Sequence, residues 1–114
     1  MQTFHNHRSE PFFSYLKTGQ KTIEGRLKKG KYVKIGTGDI INVESMEDGE
    51  IVTVEVTEVR HYRTFKEMLE NEEIRKILPN VQTPEEGASI YRQFYSKEDE
   101  KRYEIVAIEV KLLC

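Results

Sequence analysis

At 114 residues, with 33% charged residues and a formal net charge of −2, the chain has room for one domain, 1–114, that buries a core without disulfides or metals. Aliphatic and aromatic residues recur periodically throughout, which excludes a disordered chain, and the near-neutral charge excludes a protein that coats DNA or RNA through bulk electrostatics. A single cysteine, Cys114, permits no internal disulfide and points to a reducing compartment. No apolar run reaches membrane-spanning length, and His5, His7 and Arg8 stand where a secretory leader needs apolar residues. A cytoplasmic protein without a membrane role is the expectation.

Residues 2–7 read as a first strand with Phe4 facing inward. Ser9 is placed to cap a short helix with Glu10 and Pro11 in its first turn, and Phe12, Phe13 and Leu16 share one face of it. Gly19 stops that helix. Lys21 to Leu27 is expected to be extended, followed by a basic turn around Gly30, a brief strand at Tyr32–Ile35 and a Gly-Asp turn into a strand at Ile40–Val43. Asp48-Gly49 marks a hairpin turn. Val52, Val54 and Val56 then alternate with Thr53, Glu55 and Thr57 in a strand over 51–59.

Thr64-Phe65-Lys66-Glu67 has the form of a capping box, and a second helical piece spans 73–78. Thr83-Pro84-Glu85-Glu86 opens another helix that carries Ile90, Tyr91, Phe94 and Tyr95, and Ser96 with Asp99 caps one more turn. A last strand, 105–113, alternates Val106, Ile108, Val110 and Leu112 with Ala107, Glu109 and Lys111. The sum is an α+β fold of five or six mostly antiparallel strands, with a short N-terminal helix and a helical insert before the last strand. Pairing of the last strand with an early one would close a small barrel and remove exposed edges.

The chemistry concentrates between Lys17 and Lys34, where seven basic residues accompany one acid, Glu24. Such a local basic face on a near-neutral protein suits a few phosphate contacts. Lys21, Glu24 and Arg26 gather at the helix-to-strand corner, and Thr22 shares strand parity with Glu24 and Arg26. Desolvation and a neighbouring arginine oppose charge on Lys21, while Glu24 supports it. A neutral Lys21 could act as base or nucleophile with Glu24 relaying a proton; a charged one joins Arg26 in gripping an oxyanion. Residue types alone equally allow an ion-pair cluster that fastens the helix to the sheet.

Other candidates carry less. His5 and His7 lie two apart on a strand, with no third metal ligand indicated. His61 ends the long strand. Tyr62, Tyr91, Phe94, Tyr95 and Tyr103 form an aromatic set from which one or two members could stack on a base, and the 84–95 helix could instead hold a protein partner. Nothing in the spacing calls for a cofactor or a metal, and Cys114 is expected to be inert.

Gly19-x-Lys21-x-x-Glu24-x-Arg26 after a short helix resembles the signature of the ASCH domain family, whose fold is similar to the PUA domain. The Gly38-Asp39-Ile40-Ile41 turn, Tyr62-Arg63-Thr64-Phe65, and Arg102-Tyr103 before Val106-Ala107-Ile108 extend the likeness to small stand-alone prokaryotic members. The resemblance implies RNA or a modified nucleoside as ligand, in a cleft between the first helix and the barrel lined by Lys21, Thr22, Glu24, Arg26 and Tyr62. It also implies an enzymatic alternative at the same site: a weak ribonuclease, or an amidohydrolase of N4-acetylcytidine with Lys21 and Glu24 as catalytic groups. The threonine of the amidohydrolase pattern falls on Glu24, and its later glutamate has no secure counterpart among Glu70, Glu85 and Glu86.

Overall fold

Alternation of small branched residues builds the sheet, and its strand order explains which faces are buried. The computed structural model describes residues 1–113, so Cys114 and the expectation attached to it lie outside the described residues. Five strands, β1 (Thr3–Arg8), β2 (Ile23–Leu27), β3 (Ile40–Ser45), β4 (Ile51–Tyr62) and β5 (Ile105–Leu112), form one sheet in the order β1-β3-β4-β5-β2. The β1–β3 pair is parallel and the other three are antiparallel. The sheet curls into a half-barrel. The last strand does pair with an early one, β2, but β1 and β2 remain its two edges, and no ladder joins them among the described residues.

β5 is covered on both faces. Val106, Ile108 and Val110 join Phe13 and Leu16 of helix α1 (Phe12–Lys17) and the inward valines of β3 and β4. Ile105 and Ala107 pack on the other side against Phe65, Met68, Leu69 and Tyr91. That second core is supplied by the helical insert: α2 (Phe65–Asn71), α3 (Ile74–Ile77) and α4 (Pro84–Arg92), followed by α5 (Lys97–Tyr103). Tyr91 stacks on Phe65 with ring centroids 4.1 Å apart. Each capping expectation for the insert is met by geometry, since Thr64, Thr83 and Ser96 accept from the amides of Glu67, Glu86 and Asp99.

Three local expectations are corrected. Ser9 does not cap α1. The helix begins at Phe12 with Pro11 at the cap position after a cis Glu10–Pro11 peptide, and the Glu10 carboxylate accepts from the amide and hydroxyl of Ser14. Tyr32–Ile35 is not a strand; Gly30–Val33 forms a 3-10 turn, entered at Gly30 with φ +60° and closed by local bonds from the Tyr32 and Lys34 amides to the Lys29 and Lys31 carbonyls. β4 runs on to Tyr62 by absorbing one extra residue in a bulge at Thr57, where Val56 faces Val110 and Glu58 faces Glu109. The bulge lets Val59 pack with Val54 and Val56 despite its opposite parity.

Two glycines are required by position. Gly19, at φ +82°, turns the chain out of α1 toward Lys21. Gly25 lies under the insert: a Cβ there would meet Met68 Cε at 2.7 Å and the Tyr91 hydroxyl at 2.8 Å.

Candidate functional site

β2 sits at the sheet edge beside α1, and its residues alternate between the insert core and the open seam opposite β1. Glu24 reaches into that seam and is buried with a side chain only 6% exposed. Three cations surround it. Lys21 Nζ lies 3.1 Å from Oε1, and Arg26 Nη2 donates to Oε2 at 2.9 Å. Arg8, arriving from the end of β1, pairs with Oε2 through Nη2. The two sheet edges are thus tied by side-chain charge where no ladder joins them.

Hydrogen bonding in this cluster is incomplete. Lys21 Nζ donates to the carbonyl oxygens of Ile23 at 2.9 Å and Ile77 at 2.6 Å, which fastens β2 to α3. Three oxygens thus surround this nitrogen within 3.1 Å, two carbonyls and the Glu24 carboxylate. Arg26 Nη1 donates to the Gly25 carbonyl at 2.7 Å. By contrast, Arg8 Nε and Nη2 and Glu24 Oε1 are buried without a properly oriented hydrogen-bond partner among the described residues. The Arg8–Glu24 contact is close in distance yet off the angle of a hydrogen bond, so it counts as charge pairing. Buried donors left in this way are costly unless something accepts from them.

The cluster opens on a cleft of about 400 Å³. Arg8, Lys21, Glu24 and Arg26 form its polar floor, and Phe12, Tyr91, Tyr95 and Phe94 are among its walls. Phe94 is 69% exposed, an aromatic ring standing at the rim. One carboxylate against three cations leaves two positive charges facing this space. Burial pushes the Tyr91 and Tyr95 phenols up, so both are neutral hydrogen-bonding rings at physiological pH.

Of the residues singled out from the sequence, Lys21, Glu24 and Arg26 come together on the cleft floor. Thr22 and Tyr62 do not line it. Thr22 spends its backbone on Lys76 and Val110 in tying β2 to its neighbours. Tyr62 lies on the far stretch of β4, where its hydroxyl donates to Glu72. Arg60 holds the same carboxylate at 2.6 and 2.8 Å and also reaches Glu109 at 2.8 Å. Burial pushes the Glu72 carboxyl up, but the hydrogen bonds from Arg60 and Tyr62 outweigh it and the net shift is downward. This second cluster ties β4, β5 and α2 together. His5, His7 and His61 are exposed, and no group of three or more metal-binding side chains forms among the described residues. Of the aromatics on the 84–95 helix only Phe94 is exposed, which leaves little apolar surface for a protein partner.

Arg8 joins the floor without having stood out in the sequence. β1 extends one residue past the expected 2–7 limit, and Phe4, Asn6 and Arg8 share its inward parity. An arginine at an inward strand position was the available signal.

A curled, mostly antiparallel sheet with one short helix at its open seam and a helical insert before the last strand defines a PUA-like α+β domain. The ASCH domain family model matches residues 8–113, and the chain belongs to that family. It is similar to the crystal structure of the hypothetical protein PH0355, at 43% identity over 97% of this chain and 99% of that one, with a TM-score of 0.88. The solution structure of PF0455 from Pyrococcus furiosus is 40% identical over 97% of both chains, with a TM-score of 0.80. An ASCH domain from Lactobacillus crispatus JV V101 shares the fold at 16% identity, covering 96% of this chain and 79% of that one, with a TM-score of 0.57. No curated protein matches the chain. No helix among the described residues is long and apolar enough to cross a membrane.

Proposed function

We propose that the cleft binds RNA or a nucleotide by its phosphate, with Arg8 and Arg26 gripping the oxyanion and the aromatic rim receiving the base. The observation that carries this reading is the charge imbalance on the floor: a single buried carboxylate among three cations, opening on a space walled by aromatic rings. A phosphate in the cleft answers the surplus positive charge of the floor, and guanidinium geometry suits it. Lys21, already engaged by two carbonyls, acts as a fixed positive charge and holds the floor in place.

The amidohydrolase and ribonuclease alternatives place a reactive amine at Lys21. Such an amine needs a free lone pair, and the three oxygens around Nζ work against it. Incubation with N4-acetylcytidine is therefore expected to release no cytidine above a Lys21→Ala control.

Calorimetric titration with adenosine 5′-monophosphate at low salt tests the binding reading. Arg26→Ala removes a charge-assisted contact worth about 1.5–3 kcal/mol and is expected to weaken binding roughly tenfold or more, with the fold intact by circular dichroism. Equal affinity for wild type and Arg26→Ala would overturn the assignment.

A further inference from the structure

A second cleft, of about 440 Å³, lies on the other side of Phe94 and Tyr95, which line both spaces. Its outer wall is the basic 3-10 turn, with Lys29, Lys31 and Tyr32, and Asp99 is its acid. The two clefts are also joined beneath the rim, since the Arg26 guanidinium stands 6.0 Å from the Tyr32 ring centroid.

The charge on this turn is unspent. Among the described residues, none of Lys28, Lys29, Lys31 and Lys34 pairs with a carboxylate, whereas Lys17 and Lys66 do. Lys29 and Lys31 instead lie over the Tyr103 and Tyr32 rings, at 5.0 and 5.5 Å from their centroids. Lys31 Nζ also donates to the His5 carbonyl at 2.6 Å, which fixes it beside β1. Cations held against aromatic faces, with an exposed ring between two cationic spaces, form the arrangement by which proteins track a single strand: charge follows the backbone and rings take the bases. A lone nucleotide would use only the first space and leave Lys29, Lys31 and the outer face of Phe94 idle.

We infer that the ligand is a single-stranded RNA of at least two nucleotides laid across both clefts. One phosphate rests on Arg8 and Arg26, the next on Lys29 and Lys31, and a base stacks on Phe94 between them. This rests on the phosphate-binding reading of the first cleft and specifies the ligand of that site as a strand.

The test compares fluorescein-labelled tetra-adenylate RNA, followed by anisotropy, with adenosine 5′-monophosphate, followed by calorimetry. The wild type is expected to bind the tetranucleotide roughly tenfold or more tighter than the mononucleotide. A Lys29→Ala/Lys31→Ala double variant is expected to lose that gain and to bind the mononucleotide as wild type does. Its salt slope for RNA binding should fall by about 0.7 for each phosphate it no longer neutralises. Phe94→Ala, at an exposed position that does not threaten folding, is expected to weaken RNA binding roughly tenfold. Equal affinity for the two ligands, or a double variant that binds RNA as wild type does, overturns the two-cleft inference. If mononucleotide binding still depends on Arg26 in that case, the first cleft keeps its role. Absence of binding to either ligand overturns both.

Discussion

Replacing Glu24 by glutamine changes no shape and removes one charge, so it isolates what the carboxylate contributes. Among the described residues Glu24 is the only anion beside Arg8, Lys21 and Arg26, whose side chains are 13%, 4% and 14% exposed. At about 3 Å, and with an effective dielectric constant of about 20, each attraction is worth roughly 5 kcal/mol before desolvation and cation–cation repulsion are set against it. Breaking a buried pair by deleting one partner typically costs about 3–5 kcal/mol. The lower end applies here, because both arginine side chains border the cleft and keep part of their surface exposed. At roughly 4 °C per kcal/mol for a domain of this size, Glu24→Gln should lower the thermal midpoint by about 12 °C. The same substitution leaves three uncompensated cations on the cleft floor, so an anion should recover much of the loss. Phosphate at one hundred times its dissociation constant returns about 2.7 kcal/mol. Differential scanning fluorimetry in phosphate and in chloride at equal ionic strength reads both effects. A midpoint within about 3 °C of wild type, or equal rescue by chloride, would refute the reasoning.

Gly25→Ala forces a methyl group against Met68 and the buried Tyr91 hydroxyl; overpacking of this kind should cost about 2 kcal/mol, seen as a lower urea midpoint with an unchanged slope. Glu104 holds φ +62° and ψ −172°, a region that suits glycine, and Glu104→Gly should therefore raise the thermal midpoint by a few degrees, roughly the return of 1 kcal/mol of backbone strain. Asp39 accepts from the amides of Gln2 and Gly36, which hold its carboxyl below the usual aspartate range. Its folded value is the depressed one, so its stabilisation is present above about pH 4 and fades as the pH falls through that lower value. Asp39→Asn should destabilise the domain at pH 7 and converge with wild type in acid denaturation; a difference that persists undiminished at pH 2 would contradict this.

The fold was legible where local rules and burial agree. The valine alternation of β4, the three side-chain caps of the insert and the Gly19 stop each follow from near neighbours in sequence, and each stands in the structure. The misplaced elements depended on distant partners. Tyr32–Ile35 has the composition of a strand, but the segment joins neither open edge of the sheet and closes on itself as a 3-10 turn. Ser9 has the chemistry of a cap, yet Pro11 set the helix start. At the site, Lys21, Glu24 and Arg26 were visible because they lie within six positions on one corner. Arg8 reaches Glu24 only through the parallel alignment of β1 beside β3, which no short-range pattern announces. Tyr62 shows the converse: an aromatic near the expected cleft by sequence, drawn instead to Glu72 at the end of α2.

The antiparallel pairing of β2 with β5 has a consequence for the order of assembly. Every charged residue on the cleft floor lies within the first 26 positions, but the strand carrying two of them has its ladder partner at the far end of the chain, with Ile23 opposite Glu109 and Leu27 opposite Ile105. Closing so long a loop is entropically slow, and contacts of this separation form late. The floor residues are therefore expected to align only once β5 is in place and the insert has packed against it. Truncation within 105–112 should therefore abolish ligand binding outright, where removal of Arg26 only weakens it, although no residue of that strand lines the first cleft.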